Sequence, residues 1–327
     1  MSIFNDASDV ANPKKGHRLK DIPAHDPFIY SHPEEKVYYL FTSGAPNIHG
    51  MERYGVITYK SNDLIEWEGP YVVFTIPDGA WAHPQHGAWA PEVHLYNGKY
   101  FLFVTLHHQD KKLDDINDIP LPKHWRGTCI AVSDHPAGPY QLIKKDGPVV
   151  SAERMTLDGT LYIDEVEKPW MVFCHEWIQT VDGTIEAVPL TDNLSDVDGE
   201  SVHLFSASEA SWVTGEKPDG YDGTIYVSDG CQLYRTNSGR LIMLWSSYER
   251  GKYVQSIARS TSDKLGGPWE QLQPLVKGDS GHGMLFQTFE GQWMLILHQP
   301  FPMPESRCHL YLMEETSDTF RVINKWE

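Results

Sequence analysis

Asp26, Asp158, Asp229 and His282 each open the first strand of a repeated β-hairpin, and Ala90 holds the corresponding place in a fifth copy. Three carboxylates and a histidine at matching places in a repeat are the first sign of chemistry in this chain. If the first strands converge, these side chains meet in one confined spot. Carboxylates packed in that way repel and raise one another's pKa, which stability alone does not favour and acid–base chemistry requires. An Asp-Pro or Asp-Gly dipeptide also suits a turn on its own account. Turn-making explains one such residue more readily than three at one register. Close to this set in sequence stand Trp89 and Glu92 beside Ala90, and Glu176 and Trp177 after the second strand of the third copy.

The hairpins that must position these residues are Asp26–Phe41, Ala90–Phe103, Asp158–Cys174, Asp229–Trp245 and His282–Leu297, recurring roughly 50 to 75 residues apart. Several turn at Asn97-Gly98, Ser238-Gly239 or Glu290-Gly291, as hairpins do. After each hairpin comes a third apolar strand and a short aromatic or polar fourth one. In the third copy the fourth strand is expected at Thr191-Asp-Asn-Leu-Ser. Four antiparallel strands in each of five units predict an all-β fold, a five-bladed β-propeller. No segment carries a sustained helical period. Residues 21–327 are read as one propeller domain and residues 1–20 as a polar N-terminal arm. Connections at 70–89, 108–126 and 200–223 are rich in Trp and His and are read as functional loops.

Composition bounds the partners. The 327 residues carry a formal net charge of −18, which argues against nucleic acid and anionic membranes. No run approaches the ~18 apolar residues of a transmembrane helix. The N-terminus lacks a basic region followed by an apolar stretch, so no secretory signal is expected. Cys129, Cys174, Cys231 and Cys308 lie in apolar strands without metal spacing, and are expected to be buried thiols of a reducing compartment. The expected location is the cytoplasm. Nothing in the sequence indicates an oligomeric state.

From residue ~22 to ~325 the chain resembles glycoside hydrolase family 43, five-bladed propellers that act on arabinose- and xylose-containing glycans. The residues that carry the resemblance are His25-Asp26-Pro27, Trp89-Ala90-Pro91-Glu92, Leu157-Asp158-Gly159, Ser228-Asp229-Gly230 and Gly281-His282-Gly283, one group per unit. The resemblance implies an inverting mechanism with Asp26 as general base and Asp158 as the group that orients the substrate and tunes the acid. One carboxyl protonates the leaving oxygen while the other activates water from the opposite face, at a separation of about 6.5–9.5 Å. The family's acid is a Glu in a Glu-Gly-Pro or Glu-Ala-Pro context at the start of blade four, where this chain has the shorter Asp229-Gly-Cys. Glu176, in His175-Glu176-Trp177, is the expected substitute, and Asp229 then binds substrate or sets the acid's pKa. The opposite assignment, with Asp229 as the acid, stays open.

Trp89 and Trp177 are expected to stack on sugar rings, and Glu92 and His282 to bind substrate. The family often holds an ion near the axis, which makes calcium a candidate there with His282 as a ligand, and no cofactor is required. The implied activity is release of a terminal pentose, α-L-arabinofuranose before β-xylose, from a small oligosaccharide. The alternative is a carbohydrate-binding propeller without catalysis.

Overall fold

Alternating apolar residues and tight turns fold the repeated segments into antiparallel sheets, each rolled outward from its first strand. The computed structural model describes residues 7–326, so the first six residues of the expected arm lie outside the described residues. Blade one holds β1 (Lys14–His17), β2 (Phe28–His32), β3 (Val37–Gly44), β4 (Gly55–Ser61) and β5 (Trp67–Thr75). Blade two holds β6 (Ala88–Tyr96), β7 (Lys99–Lys112), β8 (His124–Ser133) and β9 (Gln141–Leu142). Blade three holds β10 (Thr156–Ile163), β11 (Pro169–His175), β12 (Thr184–Pro189) and β13 (Val202–Ser206). Blade four holds β14 (Asp229–Arg235), β15 (Leu241–Glu249), β16 (Lys252–Ser260) and β17 (Trp269–Gln271). Blade five holds β18 (Gly281–Gln287), β19 (Trp293–Gln299), β20 (Arg307–Glu315) and β21 (Phe320–Trp326).

The first strands β2, β6, β10, β14 and β18 touch one another in a closed ring, which makes this a five-bladed β-propeller. Hydrogen bonds close the ring between blades one and five. Ala24 N–H donates to Ser306 O at 3.2 Å, and Arg307 Nε donates to Lys20 O at 2.9 Å.

Three details depart from the sequence reading. Lys14–His17, placed in the arm, instead pairs with β5 and extends blade one to five strands. The fourth strand of blade three is Val202–Ser206, and residues 191–195 form a turn in which Asn193 Oδ1 accepts from Ser195 N–H and Thr191 Oγ1. The loop expected at 108–126 is shorter, because β7 and β8 run beyond the blade as a projecting arm.

The fourth finding concerns register, and it decides how the site is read. Each first strand from blade two onward carries a β-bulge, which adds an unpaired residue and bends the strand. The bulges fall at Ala90-Pro91, Asp158-Gly159, Gly230-Cys231 and His282-Gly283. Their first residues all have positive φ, at 46° for Ala90, 56° for Asp158, 60° for Gly230 and 50° for His282, and Asp26 matches them at 48°. The structural equivalent of Asp158 in blade four is therefore Gly230. Asp229 sits one residue earlier, level with Trp89 and Leu157. A Cβ at position 230 would lie 3.0 Å from the His282 ring, a tight contact that favours glycine there.

Packing between blades is aromatic. Trp245 is fully buried, 5.3 Å from Phe205 and 5.1 Å from Trp212 between ring centroids, and so ties blade four to blade three. Trp245→Ala is expected to cost about 3–5 kcal/mol of stability, read as a lower denaturant midpoint at unchanged slope.

Candidate active site

Because alternate residues at the bulges turn toward the axis, Asp26, Asp158 and His282 meet at the channel floor. His282 Nδ1 lies 3.1 Å from Asp26 Oδ1 and 3.8 Å from Asp158 Oδ2. Asp26 Oδ1 also receives His25 Nδ1 at 3.1 Å, while His25 Nε2 faces Phe301 O at 2.9 Å. Both nitrogens of His25 thus face acceptors, which suits the imidazolium, and its pKa is raised: burial works against the charge, and Asp26 and the Phe301 carbonyl outweigh it. Burial alone would raise the Asp26 pKa as well, but His25 and His282 together hold this carboxyl well below the ordinary range. Asp26 N–H donates to His298 Nδ1 at 3.2 Å, so that ring keeps its proton on Nε2 and stays neutral in its buried setting.

The other two aspartates have the opposite environment. Asp158 accepts Gly230 N–H at 3.1 Å, and its own N–H is pinned by Thr105 Oγ1 at 2.9 Å. Burial pushes its pKa up to about 7, with the negative charges of Asp229 and Asp26 adding to the shift and His282 opposing it. Asp229 receives the Tyr253 hydroxyl at 3.1 Å and is likewise pushed up to about 7 by burial and the Asp26 charge. The Asp229 charge is among the causes of the Asp158 shift, so the two carboxyls do not titrate independently. One carboxyl held ionised beside a pair that retains a proton can take a proton at one point and give one at another.

Glu176 follows β11 and leads into a single helical turn, Trp177–Thr180. Its side chain forms an ion pair with the buried guanidinium of Arg126 on β8. That partner favours the carboxylate, whereas the sequence reading needs a protonated acid here. Asp26, Trp89, Asp158, Glu176, Trp177, Asp229 and His282 all line one cavity of about 790 Å³.

The protein-family comparison matches residues 21–315 to glycosyl hydrolases family 43. The chain belongs to this family. An endo-arabinase structure from Bacteroides thetaiotaomicron is 33% identical, with 93% of this chain and 99% of that one covered at a TM-score of 0.80. Extracellular endo-α-(1→5)-L-arabinanase 1 of Bacillus subtilis is 26% identical over 161 residues, which are 47% of this chain and 43% of that protein. The chain thus matches less than half the length of that relative. An α-L-arabinofuranosidase structure from Lactobacillus brevis shares the fold at 18% identity and a TM-score of 0.69, with 91% and 93% coverage.

Two expectations for this family 43 glycosidase need correction. Glu92 does not line the cavity. It is buried between blades two and three, accepting Thr160 Oγ1 at 2.6 Å and facing His94 Nε2 at 2.9 Å, so it ties the blades together instead of binding sugar. His282 does not sit in a calcium cage either. Calcium takes six to eight oxygens, and His282 Nδ1 is directed at the channel-floor carboxyls of Asp26 and Asp158. Among the described residues the groups with metal-ligand proximity are His25–Asp26–His298 and His83–His86–Asp110, and neither contains His282. Family 43 enzymes are cofactor-independent.

Arg126, Tyr253 and His298 went unnoticed in the sequence. Tyr253 lies in ordinary strand text and Arg126 at the end of a stretch read as a loop, and only the burial of a charged residue, visible after folding, marks Arg126 as unusual.

Proposed function

We propose that the chain is an inverting glycosidase that hydrolyses α-L-arabinofuranosyl linkages of arabino-oligosaccharides. The observation that carries this reading is the meeting of Asp26, Asp158 and Asp229 in one cavity, where His25 and His282 face Asp26 while burial pushes the other two carboxyls up to about 7. In this reading Asp26 takes a proton from water as the water oxygen bonds to the anomeric carbon. The bond from that carbon to the leaving oxygen breaks, and the leaving oxygen takes the proton of Asp229. Asp229 is assigned as donor over Glu176 because Glu176 is engaged by Arg126. It is preferred over Asp158 because Asp229 is the more exposed of the two, Asp158 being buried. Asp158, fixed by Gly230 N–H, keeps the pair's proton available.

In this reading release of terminal units is favoured by the arm that backs one wall of the cavity. Residues 113–123 of the projecting arm reach across blade two to its neighbours. Asn117 Nδ2 donates to Ile178 O at 3.1 Å, and Ile119 packs on Ile225 and Val227 from the approach to blade four. Ile225, Val227 and Trp177 line the cavity, so the arm buttresses its wall on that side. Internal cleavage is the second reading, favoured by the printed activities of the two endo-acting relatives. Linear 1,5-arabinan separates them: arabinose as the sole early product supports terminal release, and a ladder of oligomers supports internal cleavage. Absence of turnover on arabinan and on aryl arabinofuranosides, with turnover of aryl β-xylosides, would overturn the sugar assignment.

The shared proton sets a pH dependence. Activity, followed as kcat/KM, is expected to fall as pH rises through about 7, where the Asp158–Asp229 pair loses the proton it must donate. A profile flat from pH 6 to about 9 would contradict the assignment.

A further inference from the structure

Arg126 is a buried charge with a neighbour at each of its three nitrogens. Its Nε donates to His107 Nδ1 at 3.2 Å, its Nη2 faces His124 Nε2 at 3.4 Å, and its Nη1 pairs with Glu176. The two histidines are acceptors here and therefore neutral. Burial first, and the Arg126 charge second, lower both pKa values, that of His124 to about 4. His107, accepting at Nδ1, holds its proton on Nε2, and His124, accepting at Nε2, holds its own on Nδ1 toward the Pro122 carbonyl. Both come from the arm formed by β7 and β8, so the arm presents a guanidinium with one free direction. That direction is Glu176.

The same guanidinium lies 5.0 Å from the centre of the Trp89 ring, and His107 packs on that ring at 4.0 Å. Gly87 leaves room for the indole edge, since a Cβ there would lie 2.9 Å from Trp89 Nε1. Trp89 is therefore backed by charge and ring on one side and remains 39% exposed. Trp89 and Glu176 line the cavity, and Arg126 does not. A buried ion pair is weak support for stability, because well-packed apolar groups often replace it at no loss. Its geometry here serves the two cavity residues.

We propose that Arg126 is a positioning residue which fixes Glu176 as an anion and seats Trp89, so that the two form a sugar-binding face, with Glu176 accepting a ring hydroxyl and Trp89 stacking on the ring. The inference deepens the proposed function and rests on Asp229, not Glu176, giving the proton. It adds a recognition role to the arm, which the motifs at the channel floor do not contain.

The test compares wild type with Arg126→Met, Arg126→Lys and Glu176→Gln, each checked for folding by thermal melt. On 4-nitrophenyl α-L-arabinofuranoside, Glu176→Gln and Arg126→Met are expected to raise KM about tenfold or more, the scale of a lost charged hydrogen bond, with kcat changed less than about threefold. The double variant that combines Arg126→Met with Glu176→Gln is expected to be no worse than Arg126→Met alone, and Arg126→Lys to recover part of the loss. A substrate-free reading uses protein labelled with 13C at the glutamate carboxyl, the Glu176 signal being the one missing in Glu176→Gln. That signal is expected to stay in the carboxylate position from pH 8 to pH 5 in wild type and to move toward the acid position over the same range in Arg126→Met. If Arg126→Met does not fold, Arg126→Lys carries the same two readings with smaller shifts. Loss of kcat at unchanged KM in Glu176→Gln would overturn the proposal, as would folded Arg126 variants with wild-type KM and an unmoved Glu176 signal. If wild type does not turn over the arabinofuranoside, the sugar assignment fails, and the carboxyl signals still decide the role of Arg126.

Discussion

Asp26→Asn is expected to reduce kcat/KM on arabinofuranosides by about 10²–10⁴-fold, the usual scale for a lost general base, equal to roughly 3–5.5 kcal/mol of barrier. The effect should be the same for good and poor leaving groups, because activation of water is lost and protonation of the leaving oxygen is not. The substitution also removes the carboxylate that His25 and His282 face. Asp26 has a depressed pKa, so its contribution to stability is present above the ordinary 3.8 and lost as pH falls. His25 has a raised pKa, so its contribution is complete below the ordinary 6.5 and is lost as pH rises through the folded value. The destabilisation by Asp26→Asn is accordingly expected to be largest between pH ~4 and ~6.5, measurable as the drop in Tm relative to wild type. A variant with full activity and an unaltered Tm profile would remove Asp26 from the account.

Asp229→Asn is expected to do the opposite to stability while also damaging activity. Asp158 and Asp229 have raised pKa values, so holding both ionised in the folded site opposes folding once pH exceeds the ordinary 3.8, and this cost reaches its full size above about 7. Replacing one member by a neutral isostere relieves it. The Tm of Asp229→Asn should therefore match wild type near pH 4 and exceed it increasingly toward pH 8, by a few degrees at most in a chain of this size. Activity on substrates with poor leaving groups should fall about 10²–10⁴-fold. A site whose catalytic carboxyl costs stability is the expected signature of function over packing.

Much of this was legible in the sequence. The five hairpins announce themselves through alternation and Gly turns, and Asp26, Asp158 and His282 were found by their place in the repeat. The blade-four register was misread, because sequence shows an Asp at the strand start but not that Gly230 takes the left-handed bulge position. Thr191–Ser195 has the polar–apolar look of a short strand, yet side-chain bonds from Asn193 and Thr191 make it a turn, and Val202–Ser206 pairs with β12 instead. Glu92 was credited with sugar binding because it neighbours Trp89; across the bulge the chain buries it between blades. The partner of Glu176 was illegible for a simpler reason. Arg126 reaches it only because β7 and β8 run past their blade, and no local pattern records how far a strand continues.

The most direct test of the central claim, that Asp229 and not Glu176 gives the proton, is the dependence of rate on leaving-group pKa across a series of aryl α-L-arabinofuranosides. It is measured side by side for wild type, Asp229→Asn and Glu176→Gln. The account predicts a steep dependence for Asp229→Asn, with near-normal rates on the most activated aryl groups, and a shallow wild-type slope for Glu176→Gln. A steep slope for Glu176→Gln with a shallow one for Asp229→Asn would contradict it and return the proton to Glu176.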